Sequence, residues 1–132
     1  FQQRLKEHNV RSWEFSPRTL SSTDSAALAV WIFTDLGISE RFRIPRTTLA
    51  RFVLTVQKSY REEVPYHNWA HAISVTHFAY LLLSLCPFDK YLTQLQMDIL
   101  PIAALTHDID HRGTNNSFQQ ASMSDLAALY SS

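Results

Sequence analysis

Tyr66-His67-Asn68-Trp69-Ala70-His71 and His107-Asp108-Ile109-Asp110-His111 concentrate ionisable side chains in two short stretches of a 132-residue chain. Imidazoles and carboxylates are ligands for divalent cations, and imidazole also exchanges protons near neutral pH. Metal-assisted or acid–base chemistry is therefore what these stretches can offer. In the first, histidines four residues apart face one side of a helix, with Cβ atoms about 5–6 Å apart. Asn68 suits an N-cap, which puts His67 just outside the helix and His71 in its first turn, so the two need not do the same job. The second stretch sets four ionisable groups directly behind the apolar run Ile99 to Leu105. Groups of this kind at the edge of a core demand pairing or a metal. On a continuing helix His107, Asp108 and His111 project within one quadrant, and Asp110 points to the side. A structural polar network and a metal site are both open readings of that pattern. With His71 added, the set His71, His107 and Asp108 is compatible with a catalytic zinc that keeps positions free for water.

The elements that must position these residues are helical. Only two glycines and five prolines occur, and apolar residues recur at spacings of three and four, which predicts an all-α domain. Residues 1–20 read as an irregular arm or linker preceding the domain, with Trp13, Phe15 and Leu20 packing on something larger. A first helix is expected from an N-cap at Thr23 or Asp24 to Leu36, stopped by Gly37. A second spans Thr47 to Lys58, with Leu49, Phe52, Val53 and Val56 on one buried face. Arg41, Arg43, Arg46 and Arg51 around its start read as a solvated rim. A third helix runs from Asn68 to Leu85 and is ended by Cys86-Pro87. The fourth starts at Thr93, with Gln96 completing a capping box, and reaches Leu105 with an interruption at Pro101. Beyond Arg112-Gly113 a polar turn is expected, then a short helix from Asp125 to Tyr130. His77 falls on the opposite side of its helix from His71 and reads as a surface or core histidine. His8 has no specific role. Phe78, Tyr80 and Phe88 read as core.

Composition narrows the function further. Twelve basic and twelve acidic residues cancel, so the electrostatic footprint of a nucleic-acid polymer binder is missing. No apolar run approaches the roughly 18 residues of a membrane span. Cys86 is the single cysteine, which fits a reducing, cytoplasmic setting and excludes an internal disulfide framework. The charge is unevenly placed: residues 1–66 hold ten basic and seven acidic side chains, residues 67–132 two and five. Five of the six histidines lie in that acidic half. The chain begins at Phe1 with no signal-peptide pattern and reads as a piece excised from a larger protein.

Taken together, Tyr66 to Ala72 and His107 to Phe118 (His-Asp-Ile-Asp-His-Arg-Gly-Thr-Asn-Asn-Ser-Phe) resemble the paired signature of class I cyclic nucleotide phosphodiesterases. The resemblance is clear from about Thr48 to Ser132 and fainter over Phe15 to Leu36. Thr48 to Phe52, Ser74 to Phe78, Gly113 to Gln119 and Leu126 to Ser132 look most like the cGMP-stimulated, dual-specificity branch with N-terminal GAF domains. The resemblance implies the N-terminal portion (residues 21–132) of a multi-helix HD-type catalytic domain. It implies hydrolysis of cAMP and/or cGMP to 5'-nucleoside monophosphates, by a metal-bridged hydroxide with His67 as general acid. His71, His107 and Asp108 correspond to three of four protein ligands of a zinc, with Asp108 bridging to magnesium or manganese. His111 corresponds to the residue that orders metal-bound water, Tyr66 to a wall of the substrate pocket, and Asp110 and Asn116 to structural hydrogen-bonding positions. The implied parent is a homodimer, cytoplasmic or peripherally membrane-associated. The fourth ligand, the purine-gripping glutamine and the aromatic clamp would lie after Ser132, so a fragment of low activity is expected. The other readings are an HD-type phosphohydrolase of a different phosphoester, or an inactive regulatory helical fragment.

Overall fold

In the computed structural model, which describes residues 2–130 without the side chains of 2, 4, 6, 116, 117, 119 and 130, the chain is all-helical. The elements are α1 (Gln2–Glu7), α2 (Ser22–Asp35), α3 (Ile38–Arg41), α4 (Arg46–Lys58), α5 (Trp69–Leu85), α6 (Gln94–Thr106), α7 (Asn116–Ala121) and α8 (Asp125–Tyr130). Single 3-10 turns occur at Pro17–Thr19 and Phe88–Lys90. Among the described residues there is no strand and no helix long and apolar enough to cross a membrane.

Local sequence explains most of the boundaries. The Asn68 side chain accepts the amide of His71 and starts α5 where expected, and the amide of Cys86 closes it on Leu82. Thr93 and Gln96 form the reciprocal capping box of α6. Gly37 has φ +76°, a left-handed turn that a Cβ would strain, and it ends α2 as anticipated. Other expectations need correction. The cap of α2 is Ser21, whose hydroxyl accepts the Asp24 amide. The segment after Gly113 is not only a polar turn, because Asn115 caps α7 through the Phe118 amide. As expected, α6 runs on past Pro101, whose ring is fully buried.

The core lies where α2, α4, α5 and the end of α6 meet. Leu28, Ile32 and Phe33 of α2 pack with Leu49, Val53 and Val56 of α4, Ile73, Tyr80 and Leu81 of α5, and Leu105 of α6. Each large side chain so buried contributes about 1.5–3 kcal/mol. Phe52, expected on the buried face of α4, is instead exposed. The solvated-rim reading also fails for Arg41. Its guanidinium grips both oxygens of the buried Asp98 on α6, with Nε 3.0 Å from Oδ2. That bond lowers the pKa of Asp98, against the upward push of its burial. Residues 1–20 are more structured than an irregular arm. Leu5 and Val10 belong to the core, and Arg11 donates to Tyr80 Oη (3.1 Å) and Asp35 Oδ1 (2.9 Å). Phe15 meets the His77 ring at 5.2 Å, and Trp13 meets Phe78 at 5.6 Å. Outward positions of α5 and α6, including Phe78, Leu85, Leu95 and Ile99, are exposed.

His77 is a core residue, with Nε2 donating to the Val10 carbonyl at 2.6 Å. Burial pushes its pKa down, against a smaller upward pull from that bond. The folded chain therefore holds it neutral, while the unfolded chain protonates it below about pH 6.5. Its contribution to stability is fully present above that pH and is lost as pH falls through the lowered folded value. Urea unfolding at pH 7.5 and pH 5.5 should show a steeper loss of stability in the wild type than in His77→Gln.

Candidate metal centre

The start of α5 and the end of α6 meet, and that junction gathers five of the chemistry-bearing side chains. His71 sits in the first turn of α5, its backbone amide held by Asn68 Oδ1 at 3.1 Å. The same Asn68 donates from Nδ2 to the Val64 carbonyl at 3.0 Å. One side chain thus caps the helix and fixes the loop that carries Tyr66 and His67. Opposite, α6 ends at Thr106 with His107 as its C-cap, and residues 107–110 form a turn rather than further helix. The expected quadrant of a continuing helix is therefore not what groups His107, Asp108 and His111. A turn that includes Asp110 at φ +60° does so.

At the centre, Asp108 Oδ2 lies 2.9 Å from His107 Nε2 and 3.3 Å from His71 Nε2. His107 Nδ1 is 2.7 Å from the Ala104 carbonyl, which can only accept, so Nδ1 carries the hydrogen. The Nε2 of a neutral His107 then turns its lone pair toward a carboxylate oxygen. That arrangement is repulsive unless a proton on Nε2 or a metal ion stands between them. Atoms about 2.0–2.2 Å from a tetrahedral zinc are roughly 3.3 Å from one another. The two separations from Asp108 Oδ2 are near that size, the ligand atoms of His71, His107 and Asp108 all lie within 4.8 Å of one another, and the donor set fits a zinc. His71 is pushed toward the neutral, ligating form chiefly by burial. His107, His67 and Arg18 add to that push, and Asp108 opposes it.

Asp108 also belongs to a second group. One potential ligand atom from each of His67, Asp108 and His111 falls within 4.8 Å of the others. The His67 and His111 rings stack at 4.0 Å. His111 Nδ1 accepts the Gly113 amide at 3.0 Å, which leaves the hydrogen of a neutral ring on Nε2. Tyr66 stands beside both histidines of its motif, its ring 4.9 Å from His67 and 4.7 Å from His71, and is more than half exposed. Asp110 is turned away from the cluster and pairs with Arg61 Nε at 2.8 Å. Asn116 opens α7, and its side chain lies outside the described residues.

Sequence reasoning missed Ser59, Tyr60 and Arg61. The apolar spacing of Val53, Val56 and Tyr60 signals that Tyr60 is buried, but nothing in it signals what the hydroxyl touches. That hydroxyl donates to the Leu105 carbonyl at 2.6 Å. Burial pushes the Tyr60 pKa up to about 12, so the phenol remains a donor.

An all-helical domain with imidazoles and a carboxylate at one helix junction is the class this geometry defines. Residues 66–132 match the family described as 3'5'-cyclic nucleotide phosphodiesterase. Over 125 residues the chain is 38% identical to the cGMP-specific 3',5'-cyclic phosphodiesterases of Drosophila pseudoobscura pseudoobscura and Drosophila melanogaster, covering 95% of this chain and 11% of theirs. Its fold matches the phosphodiesterase domain of the RhoPDE fusion protein from the choanoflagellate Salpingoeca rosetta, with a TM-score of 0.86 and 34% identity. That match covers 99% of this chain and 41% of the other. The chain belongs to the 3',5'-cyclic nucleotide phosphodiesterase family, and spans about a tenth of the length of the curated relatives it matches.

Asn68→Ala removes both the cap of α5 and the tie to Val64. It should cost about 1 kcal/mol of stability, read as a lower urea midpoint. Asn68→Asp keeps the acceptor and should recover most of that loss.

Proposed function

We infer that this chain supplies most of the metal site and the proton donor of a hydrolase that opens the 3',5'-cyclic phosphodiester of cAMP or cGMP, giving 5'-nucleoside monophosphates. The observation that carries the reading is the crowding of His71 and His107 around a single Asp108 oxygen at 3.3 and 2.9 Å, beside the stacked pair His67 and His111. In this reading His71, His107 and Asp108 hold zinc, and Asp108 also faces a second cation, magnesium or manganese. Bound there, such a pair activates water and neutralises charge on the phosphoryl oxygens.

The remaining work falls to the chain's own side chains. His67 lies outside α5 and groups with Asp108 and His111, apart from the set formed by His71, His107 and Asp108. An imidazole there can hand a proton to the departing 3' oxygen, a poor leaving group without one. His111 offers an Nε2 hydrogen from a ring whose other nitrogen is occupied by the Gly113 amide. That makes it a hydrogen-bond donor to water or phosphoryl oxygen rather than a ligand. Tyr66, exposed beside both histidines, forms a wall against which substrate can rest. The dual-specificity branch, the GAF-bearing homodimeric parent and its cytoplasmic or membrane-peripheral location are part of the same proposal and rest on the sequence resemblance alone.

Titration of the chain with Zn²⁺ tests the site directly: one tight equivalent is expected, and Asp108→Ala should abolish it. In the longer protein that carries this sequence, His67→Ala should keep its zinc while hydrolysis of cAMP or cGMP falls by about 10²–10⁴-fold. Unchanged turnover in that variant, or zinc uptake by Asp108→Ala equal to wild type, defeats the assignment.

A further inference from the structure

The turn that presents His107 and Asp108 is tied down from outside its own helix. The last carbonyls of a helix lack partners within it. In α6 the Leu105 carbonyl accepts the Tyr60 hydroxyl at 2.6 Å, and the same oxygen of Tyr60 receives the Asp108 amide at 3.4 Å. Two residues further on, the Asp110 amide donates to the Ser59 carbonyl at 3.1 Å. The Asp110 carboxylate is clasped by Arg61. Three consecutive residues after α4 therefore hold positions 105, 108 and 110. They span a turn whose left-handed residue, Asp110, is not glycine and needs outside support to persist.

Tyr60 also faces the other half of the junction. Its ring lies 6.2 Å from that of Trp69, edge to face, and Trp69 is the first residue of α5. The Trp69 Nε1 hydrogen is donated to Ser25 Oγ of α2 at 2.8 Å. A single buried phenol is thus braced against the start of the helix that carries His71 and bonded to the end of the helix that leads into His107 and Asp108.

We propose that Tyr60 is a positioning residue for the metal centre, setting the separation of His71 from His107 and Asp108 through its bonds to Leu105 and Asp108, with Arg61 holding the far side of the same turn. It touches neither metal nor substrate and acts through the backbone that aims the ligands. Groups of this kind, one step removed from the ligands, typically tune metal affinity 10–100-fold.

The inference rests on the metal reading above, and the experiment separates the two. Zinc affinity is measured on the whole chain by competition with a chromophoric chelator. The visible spectrum of the Co²⁺-loaded chain reports ligand geometry, and thermal melts of the metal-free chain report stability. Tyr60→Phe keeps the ring and deletes the hydroxyl. It should weaken zinc binding at least tenfold and change the Co²⁺ bands. Tyr80→Phe is the control, because it deletes the hydroxyl of another buried tyrosine, bonded to Asp35 and Arg11 rather than to the turn at 105–110. It should lower the melting temperature and leave zinc affinity within twofold. If Tyr60→Phe does not fold, Arg61→Gln, at a partly exposed position, should weaken zinc at least threefold while folding normally. Zinc affinity and Co²⁺ bands unchanged in a folded Tyr60→Phe, or unchanged in Arg61→Gln where Tyr60→Phe is unfolded, overturn this inference alone. A wild-type chain that takes up no zinc overturns the metal reading and this inference with it.

Discussion

Two imidazole nitrogens crowd one carboxylate oxygen, and the rest of the arrangement follows from making that tolerable. His71 at the start of α5 and His107 just past the end of α6 come from opposite ends of a helical hairpin, and both face Asp108 Oδ2 within hydrogen-bonding range. A lone pair aimed at an anion costs energy unless a proton or a metal lies between, so the junction of α5 and α6 is organised around a positive charge. The supports sit accordingly. Asn68 fixes the start of α5, the Ala104 carbonyl sets which nitrogen of His107 carries hydrogen, and the carboxylate of Asp98 is already taken by Arg41. The packing of α5 on α6 supplies the stiffness, with Leu105 buried beneath the very turn that carries the ligands.

How much of this was legible in sequence depends on how local each cause is. Caps act over three or four residues. Asn68, the Thr93–Gln96 pair and Gly37 therefore announced their helix ends. At α2 four capping residues, Ser21, Ser22, Thr23 and Asp24, stand side by side, and sequence alone does not choose Ser21 over the others. Arg41 looked like one more surface charge because its partner Asp98 is 57 positions away. The same holds for Tyr60, whose burial could be read from spacing but whose hydroxyl meets a helix end nearly fifty residues on. Pro101 predicted an interruption from backbone chemistry alone. Packing of its buried ring outweighed the lost hydrogen bond, a tertiary effect invisible to any window on the chain.

The site itself was largely readable, though one reason for it was not. His67, His71, His107, Asp108 and His111 do converge; spacing and residue type suggest His71 with His107 and Asp108 as a ligand set, and only the family resemblance adds His67 and His111 to the site. The grouping of His107, Asp108 and His111 was attributed to helical phase, whereas a left-handed residue folds the chain back. Asp110, which the resemblance makes a structural hydrogen-bonding position, gives its carboxylate to Arg61, a partner sequence does not name. Ion pairs between surface neighbours are rarely decisive, but this one closes a turn. Its value lies in the geometry of what precedes it.

The contact between His77 and the first residues of the chain has a consequence for what evolution can alter there. The buried imidazole grips the carbonyl of Val10, a main-chain group that every amino acid possesses. Identity at that position is thus constrained only by the small apolar space around it. The number of residues between Val10, Arg11 and Phe15 is constrained far more tightly, because Arg11 must still reach Asp35 and Phe15 must still cover the His77 ring. Related chains should therefore diverge freely in the composition of this segment and hardly at all in its length. A single inserted residue there would shift every one of these contacts at once, where most substitutions would disturb one.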